Sequence, residues 1–184
     1  KSAYITRGNE FYDYYVGIRS FGIHPDGIYH IGFNNFFNAY IPNWSVVNSF
    51  QGTAIHMSNS YVPPSFIGQS EVPPINIYNN EIGQINDEAE IEPRIGIFTS
   101  NIYQPIIQNN NIYYFRAAQV SKPHSIGIWA QNCIAPRVAG NLILEHQNIN
   151  QGYGANLIGM KFDRNINPCI GSQNITENLG YGLS

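Results

Sequence analysis

Apolar and polar positions alternate along this chain in short stretches that break at Asn, Gly or Pro. "IGIW" (from Ile126), "PRVAG" (from Pro136) and "NLIL" (from Asn141) follow one another in this way. Runs with a period of two, this brief and this punctuated, predict short strands joined by tight turns and leave no room for long helices. The same phrase also occurs about 31 residues earlier. "IGIFTSNIYQPIIQNNNI" (Ile95 to Ile112) matches "IGIWAQNCIAPRVAGNLI" (Ile126 to Ile143) in its Ile-Gly-Ile, its Asn, its Pro and its final Ile.

Two anchors extend the echo over the whole chain. One is a small residue followed by a large apolar one, at Gly17-Ile18, Ala54-Ile55, Gly96-Ile97, Gly127-Ile128, Gly159-Met160 and Gly182-Leu183. The other is an amide two places before a large apolar residue, in the segments starting at Asn9, Asn34, Asn80, Asn110, Asn141 and Gln173. They alternate without a miss, and the shortest full circuit, Met160 to Leu183, is about 23 residues. Several short strands per turn, repeated at that period, predict a solenoid rather than a sandwich.

In a solenoid each strand pairs with its counterpart one turn away, about 4.8 Å distant, so like residues stack on like. The expected inward columns are Ile18, Ile55, Ile97, Ile128, Met160 and Phe36, Ile82, Ile112, Ile143, Ile175. Asn34, Asn80, Asn110, Asn141 and Gln173 are expected to form an amide ladder at a bend, each amide bonding the next. Pro105, Pro136 and Pro168 fall in one column and predict a corner where no ladder donor is needed.

This pattern, Gly-Ile followed by Asn-x-Ile through about five coils, resembles the right-handed parallel β-helix of the pectin-lyase-like superfamily over nearly the whole chain. The resemblance implies an all-β fold, a right-handed parallel β-helix (solenoid) of about five coils with long loops on one edge. It implies a menu of activities and no single one, because lyases, glycoside hydrolases, tailspikes and adhesins share the architecture. The Asp-pair and Gly-His-Gly pattern of polygalacturonase-like hydrolases is absent, as is the Arg-x-Pro-x-x-Arg pattern of pectate-lyase-like enzymes.

Composition narrows the field. The 184 residues suffice for one domain, residues 1–184, and only 11% are charged. Polarity comes instead from amides: about 24 Asn accompany about 28 Ile, a mixture that favours sheets and tight turns. A net charge of -3 offers no basic field for nucleic acid. No long apolar stretch predicts a membrane span. Cys133 and Cys169 have neither zinc nor Cys-x-x-Cys spacing, and the coil register sets them too far apart for a disulfide. No cofactor or metal is expected, since the five His show no ligand spacing and Asp87, Glu88, Glu90 and Glu92 lack a calcium-loop framework.

Candidate chemistry lies in loops that interrupt the coil at residues 37–52, 83–94, 113–125 and 144–156, expected to stack along one edge. They carry Tyr40, Trp44, Tyr113, Tyr114 and Tyr153 among amides, a set suited to stacking on sugar rings and bonding hydroxyls. The competing expectation is that such aromatics cover the outside of the coil as a small second core. Arg137 and Arg164, on adjacent coils, are candidates to flank a carboxylate, and Lys161, Arg137 or Arg164 could serve a lyase as base. The expected function is an extracellular or cell-surface module that binds a glycan or a protein partner through its loop edge; the alternative is a polysaccharide lyase or glycoside hydrolase. The open ends of the repeat suggest a segment of a longer protein, with neighbouring β-helix coils or caps of the parent chain as further partners.

Overall fold

The structure is a computed structural model; it describes residues 3–22, 28–39, 50–59, 75–83, 94–113, 125–144, 157–177 and 181–183. Every strand pair among them is parallel and joins one coil to the next. Sheet A stacks β1 (Ala3–Arg7), β4 (Ile28–Gly32), β7 (Ile75–Tyr78), β10 (Ile106–Gln108), β13 (Arg137–Ala139) and β16 (Cys169–Ile170). Sheet B stacks β2 (Glu10–Tyr14), β5 (Asn35–Ala39), β8 (Glu81–Ile82), β11 (Asn111–Ile112), β14 (Leu142–Leu144) and β17 (Ile175–Glu177). Sheet C stacks β3 (Val16–Phe21), β6 (Thr53–Ser58), β9 (Ile95–Ser100), β12 (Ser125–Gln131), β15 (Leu157–Asp163) and β18 (Tyr181–Leu183). The chain visits A, B and C in turn and returns to A one level on, which makes it an all-β parallel β-helix. No helix among the described residues is long and apolar enough to cross a membrane.

Each sheet contributes an inward column. Sheet C supplies Ile18, Ile55, Ile97, Ile128 and Met160, paired level by level as the first anchor requires. Sheet B supplies Phe11, Phe36, Ile82, Ile112 and Ile143, and sheet A supplies Ile31, Ile77, Ile107 and Val138, with Ile170 next in register but exposed at the last level. Ile55, Ile97, Ile128, Ile82, Ile112, Ile143, Ile77 and Ile107 are fully buried. Withdrawing each such side chain from water stabilises the fold by about 1.5–3 kcal/mol.

The small residue of the first anchor has a steric cause. A Cβ on Gly127 would lie 2.6 Å from the Gly159 carbonyl oxygen and 2.9 Å from Ile143 Cγ2, a backbone atom and a core side chain. Gly127→Ala is therefore expected to destabilise the protein by about 1–3 kcal/mol in chemical denaturation, as overpacking does elsewhere. A midpoint unchanged from wild type would refute this account of the anchor.

The corner between sheets A and B holds the amide ladder. Asn9 Nδ2 donates to Asn34 Oδ1, Asn34 to Asn80, Asn80 to Asn110, Asn110 to Asn141 and Asn141 to Asn174, at 2.9–3.1 Å. The residue before each ladder Asn is left-handed: Gly8, Phe33, Asn79, Asn109, Gly140 and Gln173 all have positive φ. The last coil thereby corrects the sequence reading by one residue. Gln173, at φ 67, makes the bend and Asn174 takes the ladder site. Thr176 rather than Ile175 consequently pairs with Ile143, and Ile175 is 48% exposed. Amide bonding fixed the register there against the apolar pattern.

The proline column stands as expected: Ile106, Arg137 and Cys169 are register partners, so the prolines preceding them share a corner. Cys169 pairs with Arg137, and both cysteines are free, Cys133 buried and Cys169 exposed.

Candidate functional site

Strand alternation turns every second residue of sheet C away from the core. The residue after each first anchor forms an outward column, Arg19, His56, Phe98, Trp129 and Lys161, paired in register across five levels. The aromatic members touch: His56 and Phe98 centroids are 4.9 Å apart and Phe98 and Trp129 4.8 Å. A cation closes each end. Lys161 Nζ stands 4.7 Å from the Trp129 ring centroid, and the Arg19 guanidinium stands 4.2 Å from that of Phe21, whose ring meets His56 edge-on. Contacts of this kind draw ammonium and guanidinium groups onto aromatic faces.

The middle of the column is covered. Phe50, at the foot of the first sheet B to sheet C loop, lies 4.2 Å from His56 and 5.1 Å from Phe98, centroid to centroid. His56 and Phe98 are almost wholly buried, and every residue of β6 and β9 is buried, so these strands are enclosed on both faces. Phe50, His56 and Phe98 form a small second core at this point, leaving Arg19, Trp129 and Lys161 as its partly open ends. Both ring nitrogens of His56, the Ser58 hydroxyl and Trp129 Nε1 are buried without a hydrogen-bond partner among the described residues. Burial, with the Arg19 charge as the lesser cause, pushes the His56 imidazole down to about 4.

Residues 40–49, 84–93, 114–124 and 145–156 each join a strand of sheet B to one of sheet C, on successive levels. Their feet therefore line one edge of sheet C. Residues 23–27 and 60–74 join sheet C to sheet A at the opposite edge.

Of the residues singled out from sequence, Tyr40, Trp44, Tyr114 and Tyr153 lie outside the described residues, as do the four carboxylates of residues 87–92. Tyr113 is half-buried on the loop edge, its N–H donating to the Ile82 carbonyl at 2.7 Å. The same edge carries Tyr12 and Phe37, stacked at 4.9 Å. Arg137 is exposed on the outer face of sheet A. Arg164 sits at a left-handed bend between sheets C and A, its Nε 3.4 Å from Asp163 Oδ1. The two arginines belong to different parts of the coil, because Arg164 is level with Asn132 and Arg137 with Cys169.

The sheet C column escaped notice in the sequence, although its signal was there: it is the residue that follows each small-apolar anchor. Among the described residues no group of three His, Cys, Asp or Glu converges as metal ligands. Fold and face together define a parallel β-helix with an aromatic outer column capped by cations. No family model matches the chain, and no curated protein or solved structure matches it.

Proposed function

We propose that the chain is an extracellular or cell-surface β-helix module with a structural and adhesive role, binding a glycan or a protein partner through its loop edge and the adjoining face of sheet C. The observation that carries this reading is the outward column, with Trp129 and Lys161 at one end and Arg19 at the other, standing between two loop-bearing edges. The partly buried Trp129 indole offers a sugar ring an apolar surface, and the cation beside it suits a carboxylate or sulfate on the same glycan. Stacked coils add length without adding new kinds of contact, which suits a rod that holds a binding edge away from a surface.

A glycan-array screen tests the proposal with three proteins: wild type, Trp129→Ala, and the Trp44→Ala, Tyr114→Ala double variant. Wild type is expected to retain a defined class of acidic glycan, and each variant to lose at least about tenfold in affinity, as happens when an aromatic anchor is truncated. Equal retention by all three would remove the face and the edge from consideration.

A polysaccharide lyase or hydrolase of the pectin-lyase-like superfamily is the second reading. It is favoured by Lys161, whose ammonium is held over Trp129 on the same face, where it would pair with the carboxylate of a bound uronate. Absorbance of unsaturated product from uronic-acid polymers separates the two readings.

A further inference from the structure

A second surface lies at the corner between sheets A and B, away from the loop edge. There an open groove of about 310 Å³ is lined by Phe33, Asn35, Asn79, Glu81, Asn109 and Asn111 together with Asn80 of the ladder. Two columns build it. Phe33, Asn79 and Asn109 occupy successive left-handed bends, at φ 56, 51 and 54. Asn35, Glu81 and Asn111 are register partners at the starts of β5, β8 and β11, so the carboxylate has an amide on the level above and another on the level below.

The buried ladder next to this groove satisfies its amides almost completely, yet the side chains facing the groove do not bond one another. Asn35, Asn79, Glu81, Asn109 and Asn111 make no side-chain hydrogen bond among the described residues. They form an array of donors and acceptors at the coil spacing of about 4.8 Å, with a single negative charge at its centre.

Phe33 is the anomaly. The equivalent bends use Gly8, Asn79, Asn109, Gly140 and Gln173, whereas a bulky aromatic with positive φ is disfavoured and requires an explanation. Its ring is 43% exposed, steadied by the Arg7 guanidinium 4.5 Å from its centroid and by Tyr78 edge-on at 5.5 Å. An exposed ring beside unpaired amides and one carboxylate is the chemistry that recognises a hydroxylated ring, the aromatic meeting its apolar face and the polar groups its hydroxyls.

We propose that this groove binds a neutral sugar unit. The Glu81 carboxylate, the one charge among the lining residues, accepts hydroxyl hydrogens and repels uronates and sulfated sugars from the amide array, the Arg7 guanidinium being held against the Phe33 ring, so the groove selects against the acidic glycans suited to the Arg19 and Lys161 face. The two sites are separate, and neither proposal rests on the other.

The test is a titration of isotope-labelled protein, followed by amide NMR, with neutral oligosaccharides of glucose, mannose and galactose, with galacturonate oligosaccharides, and with calcium chloride alone. Neutral oligosaccharides are expected to shift the amides of Asn79, Glu81, Asn109 and Asn111, and galacturonate is expected to leave them in place. Phe33→Asn should weaken the neutral-sugar titration by at least about tenfold while its melting temperature holds or rises, because Asn relieves the bend. A ring kept only to pack against Arg7 and Tyr78 would give the opposite: a lower melting temperature and unchanged binding. The Trp44→Ala, Tyr114→Ala variant should titrate like wild type, which separates failure of the groove from failure of the loop edge. Absence of shifts at these amides with every neutral oligosaccharide, shifts that require calcium, or wild-type binding by Phe33→Asn would each overturn the proposal.

Discussion

Asn110→Ala is expected to destabilise the protein by about 3–5 kcal/mol, a large share of the about 5–15 kcal/mol typical of a domain. Asn110 is fully buried and its amide is used completely. Its Oδ1 accepts from Asn80 N–H at 3.1 Å and from Asn80 Nδ2 at 2.9 Å, while its Nδ2 donates to Asn141 Oδ1 and the Ile77 carbonyl at 3.0 Å and to the Gln108 carbonyl at 3.1 Å. Alanine removes all five bonds at once and strands partners that water cannot reach. Each buried group left unpaired costs about 1–3 kcal/mol, and partial relaxation keeps the sum below the arithmetic total. Asn9→Ala is the control. Asn9 is exposed at the first level and donates only one way along the ladder, so its loss should amount to about 1 kcal/mol or less. Thermal and urea melting of the two variants decides the matter; losses of equal size would mean that position in the ladder is irrelevant.

The ladder also shows what the sequence could reveal. Repetition made the coil legible, because stacking forces the same residue type on every level wherever a side chain meets its own copies. Ile18, Ile55, Ile97 and Ile128 must all be apolar, and Asn34, Asn80, Asn110 and Asn141 must all be amides, for that single reason. The reading slipped by one residue at Gln173, where two adjacent amides offered two registers. A spacing cannot tell which amide takes the left-handed bend, whereas the bonds made by Asn174 can.

The outward faces were hard to read for the converse reason. Nothing stacked on an outer column requires likeness, so Arg19, His56, Phe98, Trp129 and Lys161 share no letter and show themselves as a column only once the strands are paired. Nothing in the letters around Phe33 sets it apart, and only its φ and its exposure mark it out. Arg137 and Arg164 stand at different register positions, because adjacency of coils says nothing about position within a coil.

Acid is expected to unfold this protein through His56, with up to about 3 kcal/mol of stability lost between pH 7 and pH 4. The imidazole sits 1% exposed between Phe50 and Phe98, with no hydrogen-bond acceptor for either ring nitrogen among the described residues and the Arg19 charge on the neighbouring level. Each of these features disfavours the protonated form, burial most, and brings the group down to about 4 from the 6.5 it has when exposed. The unfolded chain therefore binds a proton that the native state refuses throughout that interval. Stability is full above 6.5 and falls as the pH drops toward 4, the direction linkage requires when the unfolded state holds more protons. Carboxylates contribute only toward the lower limit, so the interval between pH 5 and pH 6.5 belongs to histidine. His56→Phe keeps a ring against Phe21, Phe50 and Phe98 and removes the titration. Urea midpoints measured across the interval should slope for wild type and flatten for His56→Phe. Parallel slopes would place the acid sensitivity elsewhere in the chain. A flat wild-type profile would mean that the second core outside sheet C opens readily enough to let the imidazole charge in water, and an open second core would leave Phe98 and His56 free to join Trp129 as a binding surface.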